Sequence, residues 1–238
     1  MMKRTLEPSE ALRDNDADIC VAVSKKHSRW VDRPFLRKAM AMAAGRRQAL
    51  DIGCGNGHIA IELATYCPDL NVFAMDLSED MVEAVRQNAA TARVGDRVAP
   101  VLGDAVRLPF PDNSVDLVLS LHAVHHFPDP QSALREIRRV LAPNGAALIR
   151  DVRRPRTPLL ASLLANGFGF LLRYGADGRR KYLESLHAAL TAKELETAAR
   201  AAGLEGFRVV QEQWHHVDLT IPACPAPATG ILHAKPNN

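Results

Sequence analysis

The chain has 238 residues, 47% of them hydrophobic and 24% charged, a balance that suits a globular protein with one sizeable core and excludes a disordered or fibrous chain. A net charge of +3 makes no electrostatic demand for nucleic acid, and no apolar run is long enough to span a bilayer. Four widely spaced cysteines (Cys20, Cys54, Cys67, Cys224) without a C-x-x-C pair, and an acidic N-terminus without a signal pattern, point to the reducing cytoplasm.

Residues 1–28 are polar, with Asp14, Asp16 and Asp18 breaking any apolar period, and Trp30-Val31 follows before a helix that enters through Pro34 and stops at Gly45. The next stretch, Leu50-Asp51-Ile52-Gly53-Cys54-Gly55-Asn56-Gly57-His58, reads as strand, glycine loop and helix start. Such a loop lets backbone approach a ligand, and the helix start offers free N–H groups. It departs from the dinucleotide fingerprint G-x-G-x-x-G, because His58 stands where the third glycine belongs. Asp51 would repel a pyrophosphate but hold an ammonium or sulfonium. Cys54 reads as a small residue in the loop rather than a nucleophile.

Asn71–Asp76 reads as a second strand ending on an acid, 25 positions after Asp51, where a carboxylate can accept both hydroxyls of a ribose. The plainer reading of Asp76 as a helix-start acid is weakened by Ser78, Glu79 and Asp80, which already fill the cap and first turn. A helix over 79–92 leads to a third strand, Arg97–Leu102, whose Pro100 suits a sheet edge, and then to Gly103-Asp104-Ala105. A turn at 109–113 precedes a fourth strand, Val115–Ser120, and the loop Leu121–Asp129 at the carboxyl edge, where open α/β sheets bind ligands.

Leu134, Ile137 and Leu141 mark one helix face, Pro143-Asn144-Gly145 a turn, and Ala146–Asp151 a fifth strand. Residues 158–172 are apolar but broken by glycines, and three readings stay open: a packing helix, a lid on a substrate pocket, or a surface anchor flanked by arginines. Asp177–Lys181 reads as a solvated turn, with phosphate or carboxylate binding as the alternative. Thr191 and Glu194 form a capping-box pattern on a helix ending at Gly203, and Phe207–Val210 and Val217–Ile221 read as an antiparallel pair. The tail from Pro222 has no core pattern.

Asp51-Ile52-Gly53-Cys54-Gly55-Asn56-Gly57 resembles motif I of the class I S-adenosylmethionine-dependent methyltransferases, and acids or glycines at successive strand ends extend the likeness over residues 45–152. The resemblance is to the small-molecule, methyltransferase type 11-like branch. It implies a Rossmann-like, doubly wound α/β fold with a seven-stranded sheet. The implied division is a helical lid over 1–45, a cofactor-binding core over 46–152, a helical cap over 153–190, the last core elements over 191–221 and a loose tail over 222–238.

The implied cofactor is S-adenosylmethionine, held by Asp51, Gly53, Cys54, Gly55, Asp76, Gly103 and Ser120. Leu77 and Met81 would flank the adenine, Asp104 would accept from its amino group, and the Ala105 N–H would donate to its ring. Read without the family, Asp104 is an ordinary solvated loop acid. The implied acceptor is a small metabolite methylated on O, N, S or C. His125 or His126 is the candidate base, since imidazole titrates near neutrality; packing or capping the next helix is the competing reading.

His122 and the pair His215-His216 lack the spacing of a metal site, so no metal is expected. Nucleic-acid acceptors are disfavoured because Ser120-Leu121-His122-Ala123 stands where base methyltransferases carry Asn/Asp-Pro-Pro-aromatic or Pro-Cys. Protein acceptors, peripheral contact with a membrane and any oligomeric state stay open. Two rival readings remain: a nicotinamide-dependent oxidoreductase, and an S-adenosylmethionine-binding regulator without turnover. Motifs of this kind report binding rather than chemistry, so another reaction on the same cofactor also stays open.

Overall fold

Short aliphatic runs bounded by turn residues satisfy their backbone only by pairing, and here they assemble one sheet. The computed structural model describes residues 2–5, 32–171, 175–212 and 215–222. Its strands are β1 (Gln48–Ile52), β2 (Asn71–Asp76), β3 (Val98–Leu102), β4 (Val115–Leu121), β5 (Leu141–Val152), β6 (Arg208–Glu212) and β7 (His216–Ile221), ordered β3-β2-β1-β4-β5-β7-β6. The first five are parallel, and β7 runs antiparallel to both β5 and β6. This is the expected doubly wound, seven-stranded α/β architecture, with Pro100 on the edge strand β3.

Alternation along each strand divides the core into two layers. Ala49, Leu117, Leu119 and Leu148 pack under α1 (Arg33–Ala43), α2 (His58–Tyr66) and α3 (Glu79–Thr91). On the other face Leu50, Ile52, Val118 and Ile149 meet α4 (Pro130–Val140) and α7 (Ala192–Ala201). Chain order reverses between β1 and β4, and the carboxyl ends flanking that point carry the glycine loop and the histidine loop.

Three local expectations are corrected. Pro143-Asn144-Gly145 is not a separate turn: β5 starts at Leu141, which opposes Val115, and the next pair is Leu117 with Ala146, so the turn residues ride as a bulge in the ladder. Leu141 therefore opens a strand instead of closing the helix before it. Asp177–Lys181 lies inside α6 (Gly175–Ala188), not in a solvated turn. Gly178, Tyr182 and Leu186 give that helix a buried face, and Arg180 pairs with Glu184 one turn on.

Between β5 and α7 the chain makes α5 (Pro158–Leu171) and α6, which pack on each other. Residues 2–5 fasten to this pair: Met2 joins Val152, Ala161, Ala165, Tyr182 and Leu186 in a third cluster. Arg4 Nε donates to the Ala188 carbonyl at 2.8 Å. Most of the expected lid (residues 6–31, including Cys20 and Trp30-Val31) and most of the expected tail (223–238, with Cys224) lie outside the described residues.

The capping box at α7 is formed in both directions, Thr191 Oγ1 accepting from Glu194 N at 3.2 Å and Glu194 Oε2 from Thr191 N at 2.8 Å. Glu194 also pairs with the buried Arg154, whose Nη1 donates to Ala189 O at 2.9 Å. Thr191→Ala is expected to cost about 1 kcal/mol in chemical denaturation. An unchanged midpoint would show that the Arg154 pair alone holds the helix start.

Candidate active site

Gly53, Gly55 and Gly57 have φ of +68°, +55° and +79°, so the turn from β1 into α2 is one that only glycine makes without strain. Gly53 N and Cys54 N donate to the Met75 carbonyl at 2.8 and 3.0 Å, laying the loop across the end of β2. Asp76 then fastens it, one oxygen accepting from Gly55 N at 2.9 Å and the other from Ser78 N at 3.1 Å. A Cβ on Gly53 would stand 2.4 Å from the Ala123 Cβ, whereas one on Gly55 would meet nothing within 4 Å. The loop is thus closed towards the histidine loop and open on its outer side.

Asp51 is 2% exposed, and its Oδ2 has no hydrogen-bond partner among the described residues. Burial, opposed by His58 and reinforced by Asp76, pushes its carboxyl up to about 7. Burial likewise raises Asp76, against the N–H groups that Ser78 and Gly55 donate to it. Burial first, then the Asp51 and Asp76 carboxylates, drives the Cys54 thiol well above its ordinary range, the opposite of an activated nucleophile. A buried acid raised in this way is one that a cation seated in the loop would hold in its charged form.

The other expected cofactor residues lie around this pair. Leu77, 70% exposed, stands at the rim, while Met81 is buried in the first turn of α3. Gly103 is wedged against Met75 and Pro109, which leave no room for a Cβ. Asp104 is exposed and accepts from Val106 N at 3.1 Å, and Ala105 is buried. Ser120 is fully buried and donates to the Ile52 carbonyl at 3.0 Å, tying β4 to β1 beneath the loop. Because β3, β2 and β1 are neighbours, Asp104, Asp76 and Asp51 stand at successive strand ends. An orphaned buried carboxylate oxygen, an open glycine turn and an exposed leucine fit a cationic amino-acid nucleoside such as S-adenosylmethionine.

The histidine loop supplies the second half. His122 takes φ +55° and its N donates to Arg150 O, turning the chain into the short helical turn Val124–His126. His125 is 2% exposed, its Nδ1 lies 2.6 Å from Asp151 Oδ1, and its backbone N donates to Asp151 Oδ2 at 2.7 Å. Burial alone would raise the Asp151 carboxyl, yet the His125 ring and these hydrogen bonds hold it below the usual range. The His125 Nε2 is buried without a hydrogen-bond partner among the described residues. The His126 ring lies 3.9 Å from the His125 ring and is exposed to solvent. The charge of His125 first, and then the desolvation of the ring by the chain around it, hold His126 well below the ordinary imidazole range, against the Asp151 carboxylate.

Asp151 was missed as a site residue, although it closes the expected fifth strand as Asp51 and Asp76 close or approach the ends of theirs. Its pairing with the loop after β4 had no signal in sequence spacing. Arg4 was also missed: its Nη2 donates to the carbonyls of His125 at 3.3 Å and Phe127 at 3.1 Å. His122 and His216 bring their Nε2 atoms to 3.0 Å. Among the described residues, no group of three or more His, Cys, Asp or Glu side chains is arranged to hold a metal ion.

The family described as "Methyltransferase domain" matches residues 50–149. The chain is 35% identical over 79% of its length to the 27-O-demethylrifamycin SV methyltransferase of Amycolatopsis mediterranei, of which it spans 64%. It is 32% identical over 75% of its length to the demethylmenaquinone methyltransferase of Deinococcus radiodurans, of which it spans 76%. Among solved structures, an S-adenosylmethionine-dependent methyltransferase from Methanococcus maripaludis shares the fold at a TM-score of 0.70 and 21% identity, over 94% of this chain and 99% of that one. With these likenesses and the loop geometry together, the chain belongs to the class I S-adenosylmethionine-dependent methyltransferases.

Proposed function

We propose that the protein moves a methyl group from S-adenosylmethionine to a small organic acceptor, with His125 as the base that takes the acceptor's proton. The reading rests on one observation above the others: a buried imidazole with Nδ1 on a carboxylate and Nε2 unpartnered among the described residues, two positions from Ala123, which lies against Gly53. Bound, the cofactor supplies a methyl carbon already activated by its sulfonium. The chain has then to align the acceptor, exclude water and receive a proton.

In this reading Asp51 and the turn Gly53-Cys54-Gly55 hold the cationic amino-acid end, Asp76 the ribose hydroxyls, and Asp104, the Ala105 N–H, Leu77 and Met81 the adenine. Gly103 and Ser120 shape the floor. Asp151 is a positioning residue: by accepting at Nδ1 it leaves the Nε2 lone pair for an acceptor hydroxyl or thiol. The proton passes to Nε2 as the acceptor atom gains the methyl, and solvent later removes it. His126, crowded by His125, fits a supporting role.

Residues 153–190 would cap the acceptor. The two relatives' names, a demethylrifamycin and a demethylmenaquinone, support an organic acceptor of substantial size. A cytoplasmic setting is supported by the free thiols of Cys54 and Cys67; no described helix is long and apolar enough to cross a membrane.

Calorimetric titration with S-adenosylmethionine, followed by mass spectrometry of phenol, hydroquinone and thiol acceptors, tests the proposal. Uptake and a product one methyl heavier are expected. Uptake without any product across the panel would favour a regulator, and uptake of NADH instead would favour an oxidoreductase.

A further inference from the structure

We propose that the outer face of α5 docks on an anionic lipid surface, an association independent of the methyl transfer inferred above. Helix α5 is packed the wrong way round for a soluble amphipathic helix. Its buried positions are Ala161, Ala165 and Gly169, while Leu159, Leu163, Phe170 and Leu171 are 71%, 61%, 84% and 72% exposed, with Leu160 beside them at 42%. Small residues at every fourth position let α6 approach closely: a Cβ on Gly169 would fall 2.1 Å from the Arg179 Cγ. That approach turns the large side chains outward.

The stripe holds no charged residue along the 14 residues of the helix. Its exposed polar interruption, Asn166, folds its amide back onto the Ser162 carbonyl at 2.9 Å. An apolar stripe of this size on a free surface marks an interaction site.

Charge selects the partner. Residues 153–190 together with Glu194, which pairs with the buried Arg154, carry seven Lys or Arg against three Asp or Glu, a net +4 in a chain whose total is +3, so the remainder is net negative. Arg156, exposed, precedes the helix, and Arg179 lies against its last turn. A second copy would set two such cationic caps face to face, whereas an anionic bilayer attracts the cap and admits the leucines and phenylalanine between its headgroups. The helix is too short to cross a bilayer and suits lying in its surface.

The inner side of the same cap borders the histidine loop. The Phe168 ring of α5 lies 4.8 Å from the His215 ring, tilted by 47°, and α6 contacts the Val124–His126 turn. A membrane held by the outer face therefore lies against the helices nearest the proposed acceptor site.

The test is co-sedimentation of the full chain with vesicles of phosphatidylcholine alone or with about one third phosphatidylglycerol. Expected are binding to the anionic vesicles, release by salt at roughly 0.5 M, and little binding to neutral ones. The double variant Leu163→Glu/Phe170→Glu, both positions being on the surface, should bind about tenfold or more weakly with an unchanged thermal melt. No sedimentation with either vesicle, or equal binding by the variant, would overturn the proposal. So would equal uptake on neutral vesicles, or a concentration-dependent dimer that the variant abolishes while vesicles take up neither form.

Discussion

Asp51→Asn is expected to weaken S-adenosylmethionine binding about 10- to 100-fold while making the cofactor-free protein more stable. The loss follows from replacing a charge-assisted contact to the cofactor's cationic end, worth roughly 1.5–3 kcal/mol, by a neutral one. The gain follows from burial: Asp51 is enclosed beside Asp76 with one oxygen unpartnered, and its carboxyl is pushed up to about 7. Removing even ~1 kcal/mol of that cost raises the melting temperature by about 3 °C in a chain of this size.

The pH dependence has opposite signs for folding and for binding. An acid whose folded value lies above its unfolded 3.8 binds more protons when native, so stability falls as pH rises from about 4 to about 7. The cofactor's cation requires the ionised carboxylate, so affinity rises over the neutral part of the range and levels above about 7. The cofactor should therefore raise the melting temperature more at pH 8 than at pH 6, and both slopes should flatten in the variant. The groups that face Asp51, namely His58 (hydrogen-bonded to Asp32 at 3.2 Å) and Asp76, remain in both proteins, so the difference isolates Asp51. Equal cofactor affinity in the variant and the unsubstituted protein would remove Asp51 from the site.

The parts legible in the sequence were those set by local pattern. Alternating runs such as Asn71–Asp76, the proline of β3 and the Thr191–Glu194 box each follow from a few neighbouring residues, and the structure repeats them. The failures share another cause: a long-range partner decided the outcome. Pro143-Asn144-Gly145 carries a turn signal, but the pairing of Leu141 with Val115 outbids it. Asp177-Gly178 reads as a loop until Gly169 of α5 offers a surface for α6 to close upon. The apolar stretch 158–172 had a legible composition but an illegible direction, because which side is buried depends on the small residues that meet α6. Asp151 belongs with these, since its partner is a ring 26 residues away.

That ring carries the largest expected effect. His125→Ala should lower kcat by about 10²–10⁴, the range for a positioned base, with cofactor affinity nearly unchanged because the residue lies outside the glycine loop. In His125→Ala no ring receives the acceptor's proton, so acceptors whose hydroxyl or thiol is already ionised in solution should lose least. Asp151→Asn distinguishes positioning from packing: an amide cannot accept at once from the ring Nδ1 and the His125 and Val152 N–H groups, as the carboxylate does at 2.6–2.7 Å. One of them is misdirected, and if it is the ring, the Nε2 lone pair is lost to the wrong tautomer. The expected result is a fall in kcat approaching that of His125→Ala with little change in KM. His126→Ala should lose less than about tenfold, since among the described residues no carboxylate is hydrogen-bonded to its ring. Full turnover in His125→Ala beside a loss in His126→Ala would transfer the role to the neighbouring ring, and full turnover in both would leave alignment of the acceptor as the whole of the catalysis.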